Sequence, residues 1–379
     1  GSRILADLLP ECVAPAQAAG LMHLLFDISA HGLGHLAQSA PVINALQALA
    51  PGLELTVRSA IPRERLALRI AGAFRHVAEA RDFGLVMHNA VDIDLDASAV
   101  RYREFHADWL RRVAAEADWL RAHRVDALVS NVAYLPLAAA AEAGIPACGL
   151  SSLNWAEMFA HYLGHEPRAG EIHAQILAAY NAGKAFLRIT PGLAMADLPA
   201  RCDIAPIASI GRRDRERVGK MLGIDESERW LLLAMGGMEF RLPVEDWPPI
   251  PGVKWMVPGA WGLERVDVRS IDIAGLDFID LLASVDAVVS KPGYGTFVEA
   301  ACSGVPLLYV DRDDWPETPH FAAWLARHAR AARLSRERLL RGDFIDVLEE
   351  LWRTPAPTPP VAEGAAQAAR WLVRELKLA

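Results

Sequence analysis

A chain of 379 residues outgrows one ordinary hydrophobic core, so two domains of about 150 residues or more are expected. With 53% hydrophobic and 23% charged residues it has ample material to bury and lies far from the composition of disordered chains. A net charge of -8 without any long Lys/Arg run argues against nucleic acid as a partner, and no apolar stretch reaches the roughly 20 residues needed to cross a bilayer.

The opening Gly1-Ser2 has the look of a tag remnant and is left out of fold reasoning. The first clear element is Leu21 to Ile28, a continuous apolar run that suits a strand buried on both faces. A glycine turn follows, then a helix expected from Ala37 to Ala50, with Val42, Ile43, Leu46 and Leu49 along one side. Strand, glycine loop and helix form the opening unit of a doubly wound sheet. The alternation continues with a strand over Leu53–Ser59, helices over Arg63–Gly72 and Asp108–His123, a strand over Ala127–Ser130, a helix over Pro136–Ala143 and a strand over Ala147–Leu150.

From Thr190 to Arg215 the pattern weakens around Thr190-Pro191-Gly192 and Ala205-Pro206, which reads as the crossing between domains. A second series then begins, with strands over Trp230–Ala234, Val253–Val257, Asp286–Ser290 and Pro306–Val310 and a closing helix over Ala362–Leu376. The expected organisation is a first α/β domain over 3–195, a second over 205–358, and a tail over 359–379 whose helix packs on the body. Four cysteines, Cys12, Cys148, Cys202 and Cys302, lack the paired spacings of zinc or redox motifs and read as reduced thiols of a cytoplasmic protein.

Three stretches carry candidate chemistry. The first is His31-Gly32-Leu33-Gly34-His35, between a buried strand and a helix. That place is the carboxyl edge of a parallel sheet, where ligands bind and where glycines let backbone approach them. A histidine there is a candidate general base, the alternative being a helix-capping or merely hydrogen-bonded ring. Metal binding by the histidine pair is disfavoured, because Gly32 and Gly34 oppose a helix across it and no glutamate follows His31. The second stretch runs from Asp286 through Ser290-Lys291-Pro292-Gly293-Tyr294-Gly295-Thr296 to Glu299. A strand, a glycine turn and a helix expected to open at Thr296 set free amides and a positive dipole end where a diphosphate can bind, with Lys291 as an added cation. The alternative is an ordinary turn with a capping threonine. The third stretch, Ser152, Asn154, Trp155, Glu157 and His161, follows a strand and suits a wall for an acceptor with apolar faces and hydroxyls, the alternative for Trp155 being core.

Lys291 to Glu299 followed by Gly304-Val305-Pro306 resembles the nucleotide-sugar signature of GT-B glycosyltransferases, two-domain enzymes that bind a sugar nucleotide between Rossmann-like halves. The resemblance implies that Gly293, Gly295 and Thr296 line the diphosphate, that Tyr294 fills the aromatic position, and that Glu299 holds the ribose hydroxyls. It extends through both halves. The His31–His35 loop is similar to the family's N-terminal loop, in which the histidine matching His35 deprotonates the acceptor; Gly34 then falls on the donor side, and His31, Asn154 and Trp155 on the acceptor side. Val129-Ser130-Asn131, Ser152 to Trp155 and Asp311 to Glu317 are similar to the glycosyltransferase-like region of L-arabinokinases.

Where many relatives orient the histidine with an aspartate, Asn131 stands here, and it cannot stabilise an imidazolium by charge. Lys291 stands where many relatives have histidine. Asp313 and Glu317 are candidates for the donor sugar hydroxyls, the alternative being a solvated loop, and Gly236-Gly237 with Lys291 for the departing diphosphate, so no metal or other cofactor is required. The resemblance thus implies a metal-independent glycosyltransferase using a nucleotide-diphosphate sugar, UDP-linked in many relatives, and a hydroxyl acceptor. A sugar-nucleotide epimerase and a non-catalytic nucleotide-sugar binder are the alternatives.

Overall fold

The computed structural model describes residues 21–89, 92–236, 240–310 and 314–378. Gly237 and Asp313 lie outside them. The first half runs β1 (His23–Ile28), α1 (Gly34–Leu49), β2 (Glu54–Arg58), α2 (Arg63–Ala67), β3 (Arg75–Val77), α3 (Leu95–Ala107), α4 (Trp109–Ala122), β4 (Ala127–Asn131), α5 (Leu135–Ala143), β5 (Ala147–Ser151), α6 (Trp155–Leu163), α7 (Ala169–Asn181), β6 (Ala185–Ile189) and β7 (Arg201–Ile204). The second half runs α8 (Arg215–Leu222), β8 (Arg229–Ala234), β9 (Val253–Val257), β10 (Val268–Ser270), α9 (Phe278–Ser284), β11 (Ala287–Ser290), α10 (Tyr294–Cys302), β12 (Leu307–Val310), α11 (Thr318–His328), β13 (Ala331–Leu334), α12 (Arg336–Arg341), α13 (Ile345–Arg353) and α14 (Gly364–Leu376).

The strands form two parallel sheets, ordered β3-β2-β1-β4-β5-β6-β7 and β10-β9-β8-β11-β12-β13. Both orders reverse beside their first strand, between β1 and β4 and between β8 and β11. The register sets Ile28 opposite Asn131 and Ala234 opposite Ser290, so each reversal opens a crevice at the carboxyl ends, where open parallel sheets bind ligands. Largely apolar runs such as His23-Leu-Leu-Phe-Asp-Ile and Arg229-Trp-Leu-Leu-Leu-Ala are what strands covered on both faces require.

One buried apolar cluster joins the halves, from Leu24, Val42 and Leu46 through Tyr294, Phe297 and Phe321 to Leu372 and Leu376. The outer faces have separate cores, around Tyr102, Trp155 and Phe159 in the first half and Trp247, Trp255 and Phe344 in the second. α14 crosses back to pack on α1 and β7.

Four details differ from the sequence expectation. The first sheet extends past residue 195 to Ile204 through β7, a short edge strand whose Asp203 pairs with both Arg201 and Arg188, charges that suit an edge. α2 stops at Ala67 rather than Gly72, since the Asn44 amide takes the Arg69 carbonyl and accepts from the Ala71 N–H, satisfying that backbone outside a helix. α1 begins at Gly34, not Ala37, which puts His35 within its first turn. α10 begins at Tyr294 rather than Thr296, with Gly293 as its N-cap in extended geometry. Among the described residues no helix is long and apolar enough to cross a membrane.

Candidate active site

His35 enters the first crevice from α1 and is 5% exposed. Its Nδ1 lies 2.8 Å from the Asn131 side-chain oxygen at the end of β4. An amide oxygen only accepts, so Nδ1 carries the proton and Nε2 is the basic nitrogen. Burial pulls the His35 pKa down to about 4, with the Asn131 bond opposing, so the ring is neutral near pH 7. The Asn131 amide nitrogen donates to Gln38 at 3.1 Å and Ser39 at 3.0 Å, which fixes which end of the amide faces the histidine. Gly34 is only partly buried, and a Cβ added there would meet no atom within 4 Å, so backbone borders open space beside the base.

The second crevice holds the glycine turn. The first amides of α10, from Tyr294, Gly295 and Thr296, have no acceptor within the helix and lie at its positive end. Lys291 lies over Gly236, whose φ of 89° suits glycine; an added Cβ would come 3.1 Å from Lys291 Cε. Gly293, Gly295, Thr296 and Lys291 are all partly exposed. α10 begins against α1: a Cβ on Gly295 would come within 2.9 Å of the Ala37 Cβ, two residues from His35. The turn and the candidate base are therefore brought together by helix contact.

The other expected site residues have the following surroundings. Tyr294 is buried between the halves, where its hydroxyl accepts from the Ile207 N–H at 2.9 Å and donates to the Thr190 carbonyl at 3.1 Å, pinning the crossing segment. Glu299 is buried and accepts from Arg69 of the first half at 2.6 Å, so its carboxylate is engaged across the interface. Burial raises its pKa despite Arg69. Asn154 is the N-cap of α6, accepting from the Glu157 N–H at 2.9 Å, and it is buried. Trp155 is core, fully buried, with its indole N–H donating to Asp82 at 2.8 Å. His31 packs edge-on against Trp155, with ring centres 5.2 Å apart, and parallel to Trp315 at 6.4 Å. Glu317 is buried and takes hydrogen bonds from Ser152 at 2.7 Å and Trp315 at 3.1 Å. For Trp155 the core alternative suits the local geometry, whereas the burial of Glu317 does not suit a solvated loop.

Sequence reasoning missed the charges beneath the first crevice. Arg58 is fully buried between Asp27 and Glu116, and Arg81 also reaches Glu116 at 2.6 Å. Desolvation raises Asp27 to about 6 against the pull of Arg58, and Asp82 also to about 6. Asp27 and Arg58 both sit in strand runs that read as apolar, and Asp82 is an isolated loop carboxylate, so no motif signalled them.

No protein-family model matches the chain. It is 28% identical over 346 residues to L-arabinokinase of Arabidopsis thaliana, covering 88% of this chain but 32% of that protein. The chain thus spans about a third of the length of that curated relative. Among solved structures it is similar to the glycotransferase of kitacinnamycin, with a TM-score of 0.61, 16% identity and coverage of 94% of this chain and 95% of that one. CalG4, the calicheamicin glycosyltransferase, gives a TM-score of 0.58 at 15% identity over 94% of both chains. Two parallel sheets, each with its own reversal point, and the likeness to these structures show the GT-B fold of glycosyltransferases, and this chain has that fold.

Proposed function

We propose that the protein is a metal-independent glycosyltransferase that moves a sugar from a nucleotide-diphosphate donor to a hydroxyl acceptor. The observation that carries this reading is the meeting of α1 and α10, which sets a histidine with a free basic nitrogen beside the amino end of a glycine-led helix. The acceptor oxygen attacks the anomeric carbon, the bond from that carbon to the diphosphate oxygen breaks, and His35 Nε2 takes the acceptor proton. The leaving diphosphate keeps the electron pair and is stabilised by the α10 amides and Lys291. Tight seating of the two halves excludes water, which would otherwise take the sugar.

A pKa near 4 makes His35 a modest base, but one present wholly in the required form at neutral pH. The test is a screen of melting temperature against nucleoside diphosphates and their sugars, with and without divalent metal, followed by an acceptor panel. A ligand at a hundredfold over its Kd adds about 2.7 kcal/mol of stability. A metal-independent shift with one nucleotide series, and nucleoside diphosphate released only with acceptor, is the expected result. Release without acceptor, with an altered sugar in solution, would move the assignment to an epimerase. No shift with any nucleotide would end the nucleotide-sugar reading.

A further inference from the structure

Asn131 lacks the charge with which a carboxylate would orient and support a catalytic imidazole, yet a carboxylate does terminate the hydrogen bonds behind His35. It is Glu317, from the other half of the molecule. Four bonds lead to it: His35 Nδ1 to Asn131 Oδ1 at 2.8 Å, Asn131 Nδ2 to Gln38 Oε1 at 3.1 Å, Gln38 Nε2 to Ser152 Oγ at 2.8 Å, and Ser152 Oγ to Glu317 Oε1 at 2.7 Å. All five side chains are buried, none more than 5% exposed.

The direction of every bond follows from the last one. An ionised carboxylate only accepts, so Ser152 must give it the hydroxyl proton. The Ser152 oxygen then accepts, and Gln38 must turn its NH₂ toward it. That leaves the Gln38 oxygen to accept from Asn131, with Ser151 Oγ as a second donor at 3.3 Å. Asn131, whose amide nitrogen also faces the His35 carbonyl at 3.4 Å and Ser39 at 3.0 Å, in turn presents its oxygen to His35, which carries its proton on Nδ1 and leaves Nε2 basic.

We propose that Glu317 is a positioning residue for His35, fixing the tautomer and raising the basicity of the ring through this one-way chain across the domain interface. No proton travels along it; aligned bonds polarise one another, and the carboxylate anchors their common direction. Glu317 is seated by the N–H of Trp315, whose ring packs in the core of the first half, and the neighbouring Asp314 takes the His161 ring at 2.9 Å. The anchor therefore reaches the chain only when the halves are closed, and the base is supported only then.

The role of His35 as a base rests on the function proposed above, so the test reads the ring itself. In the full-length protein carrying ¹⁵N-labelled histidine, long-range ¹H–¹⁵N spectra report which ring nitrogen holds the proton, with no substrate needed. His35 is expected as the Nδ1–H form alone. In Glu317→Gln the amide can donate to Ser152 and let the chain run backwards, and in Ser152→Ala the chain is cut; both should give a mixture of tautomers. The double variant should give no more than the worse single one. Turnover, if the transferase reading holds, should fall on the order of tenfold, a fraction of the ~10²- to 10⁴-fold that a general base supplies. If Glu317→Gln fails to fold, the smaller Ser152→Ala change decides. His35 remaining wholly Nδ1–H in the folded variants would overturn the proposal, whereas a tautomer shift in a protein without transferase activity would uphold it and sink the activity instead.

Discussion

The two crevices share a topology and differ in how their polar groups are occupied. Behind His35 the groups of Asn131, Gln38, Ser39 and Ser152 answer one another inside the protein. At the second crevice Lys291, Gly293, Gly295 and Thr296 are partly exposed, while the carboxylate expected to hold a ribose, Glu299, is paired with Arg69. The first side is organised in advance around one nitrogen; the second is where the proposed reading seats an anion. A base must have its orientation fixed before the reaction, whereas a diphosphate brings its own charge and can complete its site on arrival.

The strongest way to break this contrast is His35→Ala. Turnover should fall by about 10²- to 10⁴-fold with the donor Kd nearly unchanged, as steady-state kinetics beside calorimetry would show. Equal losses in both would place His35 in donor binding instead.

The next effect is on stability against pH. The folded pKa of His35, about 4, lies below its ordinary 6.5, so between those values the unfolded chain binds a proton that the folded one refuses. Stability from this group is therefore lost as pH falls from 6.5 to 4, by about 3 kcal/mol. Asp27 and Asp82, raised to about 6, act in the opposite sense, since the folded state holds their protons first as pH falls. Urea titrations of wild type and His35→Gln at several pH values cancel the aspartates, and the difference should move in favour of the variant by that amount. A difference that stays constant from pH 7 to pH 4 would show that the ring is not depressed.

Gly295→Ala tests the contact that joins the crevices. Its new Cβ would come within 2.9 Å of the Ala37 Cβ, and overpacking of this kind costs about 1–3 kcal/mol. Adding Ala37→Gly should return part of that loss in a double-mutant cycle, and strict additivity would mean that the helices adjust without strain.

The smallest expected change is Asn154→Ala, which removes the α6 cap at a cost of about 1 kcal/mol and should leave the acceptor KM untouched. A raised KM at unchanged melting temperature would restore Asn154 to the acceptor wall.

The central strands β1, β4, β8 and β11 were legible because their signal is local: a largely apolar run followed by glycines marks a buried strand and a turn, as Leu21 to Gly34 and Asp286 to Gly295 show, whereas β3, β6, β7, β10 and β13 went unread. α3, α6 and α7 were not, because mixed polar stretches such as Asn154 to Leu163 become helices through a cap and tertiary cover rather than an unmistakable period. The candidate base and its Asn131 partner were legible from loop position. What Glu299 and Glu317 touch was not, since Arg69 stands 230 positions from Glu299 and Ser152 stands 165 from Glu317. Spacing along a chain carries no information about a partner brought in by the closing of two domains.

The backbone passes between the halves twice, out along the segment after Ile204 and back through the proline-rich stretch between Arg353 and Gly364. The two passages are fastened to each other: the Gly364 N–H bonds the Pro206 carbonyl at 3.0 Å, the Ala205 N–H bonds Gln367 at 2.8 Å, and a Cβ on Gly364 would strike the Ala205 oxygen at 2.0 Å. Like two screws through one door leaf, they leave a swing about their common line as the soft motion and oppose sliding or twisting. Any relative motion of the halves is therefore guided at this double crossing, at the frame rather than at the latch.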